Sequence, residues 1–131
     1  MYTVGTYTRV VRYRMKRFET DSCVYFVGRN ARDNWDLLDR SEPHDLFVHA
    51  ADTSSCYVIA VSRSRDPEDE GCFDQDDVRY ACELCKSHTS SLEKSKSTSA
   101  TNLLYTQVGN VQKGRVVGQV RLLKKPDIMR V

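Results

Sequence analysis

Apolar residues along this chain fall into short runs separated by polar breaks. "TRVVRYRM" (residues 8–15) is rich in β-branched and aromatic residues, and a strand there sets Val10, Arg12 and Arg14 on one face. "CVYFV" (23–27) predicts a second strand that ends at Gly28. "ARDNWDLL" then opens a short helix with Asn30 as its N-cap. Pro43 sits in a turn, after which "LFVHA" and "CYVIAVS" predict a hairpin-like pair of strands around Asp52–Ser55. Val78, Ala81, Cys82 and Cys85 follow the i, i+3, i+4, i+7 spacing of an amphipathic helix, and Asp74, Asp76 and Asp77 favour its positive N-terminal end. The Ser- and Thr-rich stretch 87–102 predicts a loop. "LLYTQV", "GRVVGQVRLL" and "DIMRV" predict closing strands, with Gly109, Gly114 and Gly118 as punctuation. Strands outnumber helices and no βαβ alternation is visible. The expected fold is therefore α+β, a single domain with a mixed or mostly antiparallel sheet.

Composition adds limits to this picture. With 131 residues, 40 % of them hydrophobic, the chain has the length of one domain with one core. It holds no run of about 18 apolar residues, so no membrane-spanning helix is expected. The N-terminal stretch is basic without an uninterrupted apolar region, which argues against a secretory signal and for a cytoplasmic protein. Cys23, Cys56, Cys72, Cys82 and Cys85 are odd in number, as expected of thiols kept reduced and packed like small hydrophobes. Cys82 and Cys85 form a CxxC followed by His88, but no second pair completes a zinc site. Neither a metal nor a cofactor is expected.

Charge is unevenly spread. Residues 66–77 hold seven acids and no base, so a net charge of +2 overall leaves +9 on the rest of the chain. Arg9, Arg12, Arg14, Lys16 and Arg17 supply part of it; nine Lys or Arg between Lys86 and Arg130, against only Glu93 and Asp127, supply most of the remainder. Such asymmetry fits a polyanion met by one face, or an ordinary solvated surface.

The segments "RFETDSCVYFVGRNARDNWDLL" and "PHDLFVHAADTSSCYVIA" resemble the NFACT-R domain, the RNA-binding module of ribosome quality-control factors. Gly28, Arg29, Asn30, Ala31 and Asn34 correspond to its first motif; Pro43, Asp45, Leu46, Val48, His49 and Ala50 correspond to its second. The C-terminal stretch from "LLYTQV" to Val131 is similar to the ending of the small stand-alone eukaryotic branch, through Tyr105, Thr106, Asn110 to Lys113, and Val117 to Val120. The resemblance spans about residues 17–131. The sequence departs from the family at Ala51, where a basic residue or Asp is common, and at Tyr57, where a polar residue is common. The stand-alone branch usually continues into a charged coiled coil, whereas the sequence given stops at Val131. The resemblance implies a non-catalytic module that binds structured RNA, either ribosomal RNA or tRNA, on the ribosome during translation or its quality control. DNA is an alternative, because phosphate contacts do not distinguish the two. A protein-interaction adaptor that uses the acidic 66–77 segment is another.

Each candidate residue admits a structural role beside a binding one. Arg29 offers a planar fork of donors to a phosphate or base edge, or pairs with Asp33 or Asp45 to fix the turn. Asn30 and Asn34 can read a base or sugar, or cap and shape the turn. His49 belongs to an apolar strand, hydrogen-bonded to backbone; if it faces Thr53, Ser54 and Ser55 it can donate to phosphate or stack on a base. Lys113, Arg115, Lys124 and Lys125 are candidate phosphate contacts, or solvated charges. Trp35 and Phe47 are expected in the core beside Leu37, Leu38 and Leu46 rather than as stacking platforms. As an enzyme the chain has little to offer. His49, Asp52, Ser54 and Ser55 crowd one strand and its turn without a nucleophile elbow, and His44 with His49 is the remaining acid–base pair.

Overall fold

The structure is a computed structural model that describes residues 15–64, 73–89 and 100–131. Residues 8–14 of the first expected strand, most of the acidic segment and most of the Ser/Thr-rich stretch lie outside the described residues, as does Cys72.

In chain order the elements are β1 (Lys16–Glu19), β2 (Cys23–Val27), α1 (Ala31–Arg40), β3 (Leu46–Ala50), β4 (Val58–Ser62), α2 (Gln75–Ser87), β5 (Asn102–Gln107), a 3-10 turn (Val108–Asn110), β6 (Val111–Lys113), β7 (Val120–Leu122) and β8 (Asp127–Arg130). Six strands form one sheet in the order β1-β2-β4-β3-β5-β8, and every pairing in it is antiparallel. β6 and β7 form a separate two-stranded antiparallel ribbon. The fold is a small single-domain α+β architecture.

β2 is buried along its whole length, because the sheet is covered on both faces. Strand alternation sorts the core into two layers. Tyr25, Val48, Val58, Ala60 and Leu103 point to the face covered by α2, where they meet Val78, Ala81, Cys82 and Cys85. Val24, Phe26, Phe47, Tyr57 and Ile59 point to the opposite face, under Leu37 of α1 and Val111 and Val120 of the ribbon. α2 starts at a reciprocal cap: the Asp74 side chain accepts from Asp77 N (2.8 Å), and the Asp77 carboxylate accepts from Asp74 N (3.1 Å).

Two expectations are corrected. "GRVVGQVRLL" is not one strand: its first six residues are the turn of the ribbon and only Val120–Leu122 is extended. Gly118 breaks the run with φ +93°, and Val116 and Val117 stand exposed at the tip (59 % and 40 %). Trp35 is not a core residue but a half-buried clamp on the ribbon. β1 is an element the sequence did not announce: three of its four residues are charged, and Phe18 pairs with Tyr25 of β2.

Among the described residues no helix is long and apolar enough to cross a membrane, and no group of three His, Cys, Asp or Glu is placed to hold a metal ion.

Candidate functional site

Gly28 leaves β2 where the backbone of Tyr57 passes beside it, with Gly28 N donating to Tyr57 O (3.0 Å). A Cβ at this position would overlap Asn34 Oδ1, and that oxygen accepts from Tyr57 N (3.1 Å). Only glycine leaves room for the bond. Asn34 is thus a buried tie between α1 and the start of β4. Asn30 is the N-cap of α1, its side chain accepting from Asp33 N (2.9 Å). Arg29 is spread on Asp33, with Nε to Oδ2 at 2.7 Å and Nη2 to Oδ1 at 3.4 Å, while its own N–H reaches the same Oδ2 at 3.1 Å. The guanidinium holds the Asp33 carboxyl below its ordinary range. Arg29 keeps nearly half its side chain exposed (44 %), so an outer edge of the fork still faces solvent.

His49 lies on the ribbon side of the sheet, where Phe47 and Tyr57 flank it. Its ring is 5.4 Å from Tyr57 in an edge-on arrangement and parallel to Phe47 at 6.3 Å, while Phe47 and Tyr57 meet edge-on at 4.9 Å. Nδ1 lies 2.7 Å from Ala50 O. A carbonyl only accepts, so Nδ1 carries the proton and Nε2 of the neutral ring carries a lone pair. Burial pushes the imidazole pKa down, outweighing this hydrogen bond. Ser55 turns its hydroxyl inward, accepting from Ala50 N (2.9 Å) and donating to Cys56 O (2.9 Å), which fixes the 51–56 turn. Ser54 is exposed beside it.

The β6–β7 ribbon arches over this floor and is tied down on both flanks. Tyr57 Oη donates to Gly118 O, and Trp35 Nε1 donates to Gln119 O (3.0 Å). Lys113 pairs with Asp39 of α1, its Nζ 5.0 Å from the Trp35 ring centre. Two adjoining hollows result. One, of about 810 Å³, runs from Phe47, His49 and Tyr57 to Lys113, Arg115 and Arg121 of the ribbon. The other, of about 560 Å³, runs from Arg29, Asn30 and Asn34 past Ser54, Ser55 and Cys56 to the ribbon tip. His49, Ser54, Gly118 and Gln119 border both. Among the described residues, no Asp or Glu lines either hollow.

The fold therefore gathers Arg29, Asn30, Asn34, His49, Ser54, Ser55, Lys113 and Arg115 around one cleft. Lys124 and Lys125 are elsewhere: they follow the ribbon, where Asn110 Oδ1 accepts from Lys124 N (2.6 Å), and neither lines a hollow. Arg121 joins the site without having been expected there. Its signal is present in the sequence, since it alternates with Val120 and Leu122 and so must face away from the apolar side of the ribbon.

No protein-family model and no curated protein sequence matches the chain. Among solved structures, it is similar to the C-terminal part of the fibronectin/fibrinogen-binding protein from Streptococcus suis, with a TM-score of 0.70 at 19 % identity. The fold is shared. The likeness covers 92 % of this chain and 45 % of that one, so the chain spans less than half the length of the structure it matches.

Proposed function

We propose that the chain is a non-catalytic RNA-binding module whose cleft takes a segment of structured RNA by charge and shape. The observation that carries this reading is the lining itself: Arg115 and Arg121, with Arg29 and Lys113 beside their partners Asp33 and Asp39, surround an aromatic floor, and no described Asp or Glu lines the hollows. Phosphates bind such a rim through long cationic side chains, and an unpaired base can lie against an aromatic floor. The resemblance of the Gly28–Asn34 and Pro43–Ala50 motifs to NFACT-R supports ribosomal RNA or tRNA as the ligand, in translation or its quality control in the cytoplasm. Asn30, Asn34 and Ser55 serve this site by holding its walls, because the side-chain oxygen of each is engaged within the protein.

The test is binding to ribosomal RNA, tRNA and duplex DNA across a salt series, with Arg115→Ala/Arg121→Ala and Lys124→Ala/Lys125→Ala beside the wild type. The expected result is a preference for RNA and a steep fall of affinity with salt. Removing Arg115 and Arg121 lowers the salt slope by about one for each phosphate that is no longer neutralised, and the Lys124/Lys125 pair has a smaller effect. Equal affinity for DNA points to binding of any polyanion. No affinity for any of the three overturns the reading and leaves a protein ligand.

A further inference from the structure

The 51–56 turn ends on a sulfur. Cys56 is half-buried and borders the hollow that also holds Ser54 and His49, and its Sγ lies 4.0 Å from Sγ of Cys85 in the last turn of α2. We propose that Cys56 is a peroxide-reactive thiol and Cys85 its resolving partner, so that oxidation closes a disulfide between the turn and α2.

The two segments are already held against each other. Cys56 N donates to Thr89 Oγ1 (3.2 Å), and Thr89 Oγ1 in turn lies 2.7 Å from Cys85 O and 3.3 Å from Cys56 Sγ. The Cys85 thiol reaches Cys56 O at 3.4 Å. A disulfide needs the sulfurs at about 2.05 Å, so the pair must close by about 2 Å.

Order of reaction follows from access and acidity. Cys85 has no exposed surface, and its hydrogen bond with Cys56, together with burial, pushes its thiol up. Cys56 is reachable from the hollow, and hydrogen bonding with Cys85 and Thr89 pulls its thiol down against burial. Cys82 is pushed up to about 12 by burial, and Cys23 is also raised.

In the first step the Cys56 thiolate attacks one oxygen of hydrogen peroxide; the O–O bond breaks, a sulfenic acid forms and hydroxide leaves. The Cys85 sulfur then attacks the Cys56 sulfur, the S–O bond breaks, and the departing hydroxide takes the Cys85 proton as water. Two thiols lose two electrons and two protons, and one peroxide becomes two waters. The new bond links positions 29 apart in sequence and fixes one wall of the hollow to α2.

The full chain, freed of reductant, is treated with hydrogen peroxide at low molar excess, alkylated, digested without reduction and mapped by mass spectrometry. The expected first product is a peptide pair joined through Cys56 and Cys85. Cys56→Ser and Cys85→Ser each abolish it, and Cys85→Ser leaves a Cys56 sulfenic acid that dimedone traps. Because the wild-type map stands without any variant, poor folding of either serine variant leaves the proposal testable. A first linkage between any other pair, Cys72 included, or oxidation of Cys23 or Cys82 while Cys56 stays a thiol, overturns it.

Discussion

At the residue scale, the groups with the richest hydrogen-bonding capacity are largely spent on the protein itself. Asn34 illustrates this: it is only 6 % exposed inside an amphipathic helix, and its oxygen satisfies a backbone N–H that would otherwise be buried alone. Asn34→Ala orphans Tyr57 N and is expected to cost about 1–3 kcal/mol in chemical denaturation; a loss well below that range would show that the tie carries little. His49 makes a different prediction. The neutral ring offers a lone pair at Nε2, so donation to phosphate from that nitrogen requires the imidazolium. Burial has set its folded-state pKa below the unfolded value near 6.5. In the unliganded protein its contribution to stability is whole above that unfolded value and is lost as pH falls through the depressed folded one. A bound phosphate opposes this by favouring the cation. RNA affinity is therefore expected to rise as pH drops from about 7 toward about 5.5 in the wild type, and to rise less in His49→Gln. Parallel pH profiles for the two proteins would exclude a phosphate contact at this ring.

At the scale of elements, the ribbon β6–β7 is the piece that makes a cleft out of a sheet face. Its strands are three residues each, too short to persist alone, so its position depends on Trp35, Tyr57 and Lys113. Trp35→Ala removes a hydrogen bond and a cation–π platform. We expect faster amide hydrogen exchange across residues 111–122, an overall stability loss of about 1–2 kcal/mol, and weaker RNA binding. Unchanged exchange in the ribbon would show that other contacts hold it.

This element also marks the limit of what is legible in the sequence. β2, α1, β3, β4 and α2 are readable because apolar period, caps and turn residues agree there: Asn30 and Asp74 cap the helices as their positions predict. The ribbon is not, because Val116 and Val117 look like strand interior, whereas Gly118 at positive φ, packed against Ala31, turns them outward. β1 is invisible because four mostly charged residues carry no period. The site is half legible. Arg29 and His49 stand out by type, but that Asp33 claims the one and Ala50 O orients the other depends on distances no spacing rule supplies.

At the scale of the whole molecule, the two faces of the sheet have divided their tasks. α2 seals one face with small side chains, Ala81, Cys82 and Cys85, which let it lie close to the strands. The other face is only partly sealed, by α1 and the ribbon, and the remaining gap is the cleft. Charge follows the same division: Asp33 and Asp39 of α1 are each paired with a cation at the rim of the cleft.

Among the described residues, the strand order leaves β1 and β8 at the two ends of the sheet, and both are short and charged. Arg17 and Glu19 pair along β1 at 2.8 Å, with Arg63 joining Glu19, and Asp127 and Arg130 bracket β8. Ion pairs of this kind add little to stability, but they make a poor template for another copy of the sheet. Replacing Arg17 and Glu19 together by Val is accordingly expected to leave the melting temperature nearly unchanged while the protein gains mass in sedimentation as its concentration rises. A double variant that stays monomeric would place the barrier to aggregation elsewhere. The residues that matter most for keeping this chain dispersed would then be among those that do least to keep it folded.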